Sequence, residues 1–515
     1  MVDYGTFGSG SNPSIPEQAS ADQTSVYSDD GVRPSSAVTT SENAAPNILQ
    51  APPLVAIMSQ TCRSKTEARI LRKIDTRLLP MIILMYIMNY LDRNNIAAVR
   101  FAGLQEELSL SSREYQTIVS VLFIGYLLMQ VPSNLFLQKS GRPAIYLPTC
   151  MVIWGVISAL TGTCRNFGGL VTCRFLLGFV EAAYFPGCLF YLSSWYTRKE
   201  LGFRTAVLYS GSLLSGAFGG LVTAGITGNM DYSHGLRAWR WVFLIEGAIT
   251  IAIALIAFSI LPNLPHTTTS TSTSWLTEEE RQLAIYRLQE DIASSSPSST
   301  ISSISPSKPT PFFKGFTIAL SDQKTHLLTL LLTAQVSTAS ITLFFPTIVA
   351  TLSLPPIQTL LLTSPPYLLA VLSTLLTARH ADRTGSRVLP ITLPLLLATF
   401  SFILAGSTTA LVPRYIAMCV MVPGVYSGYP VALAWISNCI PHPPEKRAAA
   451  LAWVNAVANA SSVFASFLYE QPPEGGQPDL TRPLAVDCAT ALVAVAAAFA
   501  VRRVLRREGR RVVEG

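Results

Sequence analysis

The chain has 515 residues, of which 13% are charged and 50% hydrophobic, and its 37 Lys+Arg against 30 Asp+Glu give a net charge of +7. Ordinary soluble domains carry about 25% charged residues, so this chain cannot cover a soluble surface of its size, and its apolar residues gather into long runs that read as membrane spans. The positive charge falls in short clusters between those runs, not in a patch interleaved with aromatics, which argues against nucleic-acid binding; the 8 cysteines form no C-x-x-C pair that would hold zinc or frame disulfides.

Residues 1–70 are rich in Ser, Pro, Thr, Ala and Asp and lack an apolar core, which predicts a disordered cytosolic tail and not a signal peptide. Apolar stretches long enough to cross about 30 Å of hydrocarbon follow. They fall near 76–97, 115–137, 145–164, 168–192, 204–226 and 239–261, making an N-terminal half over 71–261. A polar linker, 262–323, carries two Ser/Thr-rich stretches around SWLTEEERQLAIYRLQED. There Thr277 and Glu280 have capping-box spacing, and Leu283, Tyr286 and Leu288 could form an apolar stripe, so a short connecting surface helix is expected. A second set of spans near 325–352, 360–379, 388–407, 411–436, 447–468 and 483–501 makes a C-terminal half over 324–501, followed by a basic tail over 502–515.

The expected fold is therefore an all-α polytopic membrane protein of twelve helices in two six-helix halves. Loop charge orients it. Lys139, Arg142, Arg198, Lys199, Arg204, Arg379, Arg383, Arg387, Lys446, Arg447 and the arginines from 502 onward fall on one side if both termini are cytosolic. The halves echo one another: QKSGR after the second span matches ADRTGSR after the eighth, and FRTAVLYSGS opens the fifth as KRAAALAWVN opens the eleventh. Parallel repeats of this kind enclose a midplane site and rock around it.

Several stretches recur in an order that resembles a known family. They are NYLDRNNIAAVR, GYLLMQVPSNL, RFLLGFVEAAYFPG, RWVFLIEG, WLTEEER, FFPTIV, PPYLLAVL and ADRTGSR. Together they resemble the major facilitator superfamily, and within it the anion:cation symporter branch of fungal allantoate-, nicotinate- and vitamin-permease-like transporters, over residues 70–500. The eleventh span is poorer in glycine than the family pattern, and the loop around SGRP is shortened relative to the superfamily's acidic-glycine-basic signature. Its C-terminal counterpart, Asp382, Arg383, Gly385 and Arg387, is intact, and the resemblance implies a role for it in conformational gating.

Charged side chains within spans cost at least about 2.5–3.5 kcal/mol each at the bilayer centre, so each is a candidate site. Adjacent helical residues point about 100° apart, so Asp92 and Arg93 are expected to serve different neighbours. Arg93 offers an organic anion a planar, permanently charged fork, and Asp92 would steady that arginine or a neighbouring helix, or carry a coupling proton. Arg174, Gly178 and Glu181 share one face of the fourth span. The two charges are about 10 Å apart along the axis, leaving room for an ion or substrate between them, and a carboxylate there can load and lose a proton. Arg174 is read as substrate-binding and Glu181 as proton-coupling, the roles the resemblance also implies. Tyr90, Tyr126, Gln130 and Asn134 are expected to line the cavity, with Asn89 beside them; Glu246 is read as a structural partner near the outer half, and His380 as solvated. Gly216 is followed by Ala217 where exporters of the superfamily show Gly-Pro, which favours import.

These readings predict a secondary transporter, a proton-coupled symporter of a small organic anion (carboxylate, ureide or vitamin) working by alternating access. An exporter of a metabolite or drug and a transporter-like nutrient sensor are the alternatives. No P-loop, G-x-S-x-G or metal spacing occurs, so neither catalysis, nor a cofactor, nor a metal is expected. The expected partners are the anion, protons and the lipid bilayer. The chain is expected to be a monomer, multi-pass in the plasma membrane.

Overall fold

The computed structural model describes residue 52 and residues 58–265, 275–293, 312–439, 444–469 and 480–514. Most of the tail expected over 1–70, and the Ser/Thr-rich stretches of the linker, lie outside the described residues. Among the described residues, twelve helices are long and apolar enough to cross a membrane. Spans 1 to 6 are Gln60–Glu107, Ser112–Leu137, Pro143–Thr161, Phe167–Ser193, Glu200–Met230 and Ala238–Ile260. Spans 7 to 12 are Gln323–Ala350, Pro356–Thr384, Val388–Ser407, Leu411–Ile436, Ala449–Tyr469 and Thr481–Arg507. With an even number of spans, the two ends of the bundle and the linker share one face, called here the termini face.

Both ends of the bundle extend further as helix than the sequence suggests. Helix begins at Gln60, capped by the Ser59 hydroxyl, which accepts from the Cys62 N–H at 3.3 Å. Residues 60–70 are thus not part of a disordered tail; Arg63 and Glu67, one turn apart and paired at 2.9 Å, help hold that stretch helical. The last helix runs on to Glu514, through most of the basic stretch expected to be a separate tail.

The pairing of spans repeats between the halves. Span 1 lies against span 5, 2 against 4 and 3 against 6; in the second half 7 lies against 11, 8 against 10 and 9 against 12. The repeat reaches single residues. Gly141 closes the helix of span 2 at φ +60° and Gly385 closes that of span 8 at φ +66°, both in the left-handed conformation that glycine reaches without a Cβ penalty. Large apolar side chains are turned outward, Phe400 at 65% and Ile403 at 59% exposure. On a soluble surface such side chains would be a liability; here they form the lipid-facing coat.

Spans 5 and 8, and spans 2 and 11, join the halves. The Ser120 hydroxyl donates to the Val463 carbonyl at 3.3 Å, and that of Ser364 to the Ala217 carbonyl at 2.7 Å. Nearer the middle, Tyr209 of span 5 stacks on Tyr429 of span 10, ring centroids 5.0 Å apart. At the termini face Gly202 lies beside the Asp382 carboxylate, close enough that a Cβ added there would be 3.6 Å from an oxygen.

The linker helix, Glu278–Ala293, is bolted to the first half rather than merely connecting. Lys73 donates to both oxygens of Glu280 at 2.9 and 2.6 Å, and Arg63 pairs with Glu290. Arg287 reaches Glu200 at 2.9 Å and the Trp195 carbonyl at 3.0 Å. The expected Thr277–Glu280 capping box is present. The expected stripe is corrected: Leu283 and Ala284 are buried with Arg287, while Tyr286 and Leu288 are only partly covered. A charge with two acceptors within reach takes the buried place that hydrophobicity alone would give to Leu288.

Candidate functional site

Span 4 is broken where the chemistry lies. Its first helical segment ends at Glu181, and the second begins at Tyr184. Pro186 has no N–H to bond the Ala182 carbonyl and its ring crowds it, so the turn over 182–183 follows from the sequence. Glu181 is thereby held at a helix end, within reach of span 1.

Five charged side chains from spans 1, 4 and 6 converge there: Asp92, Arg93, Arg174, Glu181 and Glu246 are each no more than 9% exposed. Arg93 Nε donates to Glu181 Oε2 at 3.0 Å. The Arg93 guanidinium lies over the rings of Tyr126 and Tyr90, at 4.6 and 5.0 Å from their centroids. This is an aromatic cradle for a cation. Glu181 Oε1 has no hydrogen-bond partner among the described residues, so the pair is held through one oxygen only.

Asp92 turns the other way. Ser158 of span 3 donates to its Oδ1 at 2.6 Å and Thr250 of span 6 to its Oδ2 at 2.8 Å. Adjacent in sequence, Asp92 and Arg93 thus serve different helices.

Arg174, on the same face of span 4 as Glu181, is taken up by the backbone and Asn95 of span 1. One Nη donates to the carbonyls of Asp92 and Arg93 at 3.2 and 3.1 Å, and the other to Asn95 Oδ1 at 3.0 Å. Asn95 Nδ2 in turn donates to Glu246 Oε2 at 2.7 Å. The structural contact read for Glu246 is this amide bond rather than an ion pair, and Arg240 is taken by Glu107 at 2.9 Å near the face opposite the termini. Tyr126 touches Arg93; Gln130 and Asn134 follow one and two turns on, Gln130 buried and Asn134 half-buried. In the expected gating loop, Arg387 reaches Asp382 at 3.2 Å while Arg383 is exposed.

A family model described as Major Facilitator Superfamily matches residues 82–466. The chain belongs to that superfamily. It is 34% identical over 393 residues to the MFS-type transporter cnsO of Penicillium expansum, covering 75% of this chain and 73% of that one. It is 29% identical over 396 residues to an Agrobacterium vitis relative that carries tartrate transporter in its name, covering 76% of this chain and 82% of that one. A bacterial homologue of the human lysosomal transporter Spinster, solved inward-facing and unoccupied, has the same fold, with a TM-score of 0.60 at 16% identity over 87% of this chain and 98% of that one. The chain is a multi-pass membrane transporter of this superfamily, and not an enzyme.

The superfamily fold adds residues that single-span reading missed. Asn95 lies three residues beyond Asp92, and only the fold brings Arg174 and Glu246 to its two ends. Tyr209, Tyr426 and Tyr429 add an aromatic wall from spans 5 and 10, with Tyr426 6.3 Å from Tyr209. In the second half the Tyr469 hydroxyl donates to the fully buried Asp487, whose Oδ1 has no partner among the described residues. A cavity of about 30 Å³, lined by Asn94, Asn95, Gly216, Thr342, Thr363 and Tyr367, lies between the halves and is large enough for one water.

Proposed function

We propose that this transporter carries a small organic anion, most simply a carboxylate, together with a proton, by alternating access between its two halves. The Arg93–Glu181 pair carries the reading. An incoming carboxylate matches the chemistry of Glu181 and competes with it for the Arg93 guanidinium, whose fork accepts planar anions and whose cation is stabilised by Tyr90 and Tyr126. Glu181, displaced, has neither a counter-ion nor water enough to remain ionised, and takes up a proton.

Anion binding and proton uptake are then one exchange. The arginine stays neutralised throughout, first by Glu181 and then by the substrate. The proton also offsets the electrical work of bringing an anion into a negative interior, about 2.3 kcal/mol per charge per 100 mV. The name of the Agrobacterium vitis relative agrees with a carboxylate cargo, and the resemblance of NYLDRNN and RFLLGFVEAAYFPG to the anion:cation symporter branch agrees with import. Arg174 fixes the backbone of span 1 under Arg93, while Gln130 and Asn134 continue a polar path toward the termini face. Asp382, Arg383, Gly385 and Arg387, beside Gly202 of the other half, form a contact that opens and closes with the halves.

Uptake of radiolabelled carboxylates, ureides and vitamins in a host lacking its own carriers tests this. A substrate should be found whose accumulation rises at acidic external pH and collapses with a protonophore. Accumulation of that substrate indifferent to both treatments would remove the coupling.

A further inference from the structure

The proton exchanged at Glu181 is not the only one the charge cluster calls for. The charge cluster of spans 1, 4 and 6 holds two arginines, Arg93 and Arg174, and three carboxyl groups, Asp92, Glu181 and Glu246; the other buried arginine of span 6, Arg240, is neutralised by Glu107 at 2.9 Å. Arginine remains charged in proteins. With all three acids ionised the cluster would carry an uncompensated negative charge in low dielectric, which costs several kcal/mol or is relieved by protonation. One resident proton makes it neutral.

The hydrogen bonds locate that proton. Glu181 receives Arg93 directly at 3.0 Å. Asp92 receives a hydroxyl on each oxygen, from Ser158 and Thr250, an arrangement that suits a carboxylate. Glu246 has only the Asn95 amide on Oε2, and its Oε1 is buried with no partner among the described residues. Its nearest positive charge, Arg174, is held off by the intervening Asn95, whose amide is oriented from both ends. Glu246 itself is 1% exposed.

We infer that Glu246 is a second proton-binding site, occupied at rest, and that Asn95 ties it to Arg174 without allowing an ion pair. The proton on Glu246 stays while the one on Glu181 comes and goes with the substrate. Neutrality is then kept in both states: before binding, the two arginines are balanced by Asp92 and Glu181, and after binding by Asp92 and the anion. This rests on the proposed exchange at Glu181 only for its role in the cycle; occupancy of Glu246 is a property of the resting protein.

The test uses the full chain in lipid, without substrate. The infrared spectrum at neutral pH is compared between the unmodified chain and Glu246→Gln, whose amide copies the size and hydrogen bonding of a protonated acid. Loss of a protonated-carboxyl band in the variant, with unchanged melting temperature, is the expected result. Asp92→Asn, which puts an amide where two hydroxyls donate, should remove no such band and should lower the melting temperature. A spectrum in which Glu246→Gln instead removes an ionised-carboxylate band would overturn the assignment. So would an Asp92→Asn variant that loses the protonated band. Neither measurement depends on transport, so failure here leaves the exchange at Glu181 to be judged by its own experiment.

Discussion

Gly178 sits three residues before Glu181 and four after Arg174, at the point where span 4 touches span 2. A Cβ added there would lie 2.0 Å from the Leu122 carbonyl oxygen and 2.8 Å from its carbon. Backbone cannot rotate away as a side-chain tip can, so Gly178→Ala must part the two helices by at least about 1.4 Å, from 2.0 Å to the 3.4 Å of an ordinary contact, at a cost of about 1–3 kcal/mol for an overpacked interior. If span 4 takes up that shift, the Arg93–Glu181 contact, now 3.0 Å, stretches to about 4.4 Å, beyond the reach of an ion pair. The expected outcome is a melting temperature lower by several degrees in lipid nanodiscs, and slowed uptake. Gly225→Ala in span 5 is the control, because a Cβ there meets nothing within 4 Å, and it should leave both unchanged. A Gly178→Ala protein that melts and transports like the unmodified chain would refute the idea that this close approach sets the geometry of the charged site.

Arg93→Lys keeps the charge but loses the fork, and should abolish uptake while leaving surface protein intact on a membrane-fraction blot. Asp92→Ala strands the Ser158 and Thr250 hydroxyls in a fully buried place; at about 1–3 kcal/mol for each unsatisfied buried group, the variant should show a clear loss in melting temperature. Outside the membrane, burial disfavours the charged form of Glu280, but the Lys73 hydrogen bond outweighs it, helped by the Thr277 N–H and the charges of Lys73 and Arg69, so its carboxyl titrates below the ordinary value. A lowered folded-state value means that the docking of the linker helix is fully stabilised above the ordinary glutamate value of about 4.3. The stabilisation is lost as pH falls through the lowered one. Hydrogen-exchange protection factors over 278–293, taken relative to the intrinsic rate at each pH, should therefore stay high at neutral pH and fall in acid, and Glu280→Gln should show lower protection at neutral pH with no further acid effect.

The helical class and the number of spans were legible because apolar runs of membrane length are the strongest signal a sequence carries. The divergence of Asp92 and Arg93 was legible too, since helix geometry alone separates adjacent side chains. What could not be read was contact across helices. Arg174 and Glu181 share a face and invite a ligand between them, yet both are engaged by span 1, Arg174 by its carbonyls and Glu181 by Arg93; no periodicity within span 4 can report its neighbour. Asn95 passed as one more polar residue in a polar stretch, and Tyr209, Tyr426 and Tyr429 as ordinary span aromatics, because their meaning comes from three-dimensional pairing. In the linker, a hydrophobic stripe was expected where Arg287 is buried. That choice depends on Glu200 and the Trp195 carbonyl, which lie almost a hundred residues away in the chain.

The exchange of a substrate carboxylate for Glu181 on Arg93 is tested most directly in proteoliposomes, using a substrate found in the uptake panel and an imposed inward proton gradient. Wild-type protein should accumulate the labelled anion and acidify the lumen as it does so. Glu181→Gln should still exchange labelled for unlabelled anion across the membrane but build up none against its gradient. Accumulation by Glu181→Gln equal to wild type, with the same proton entry, would contradict the account.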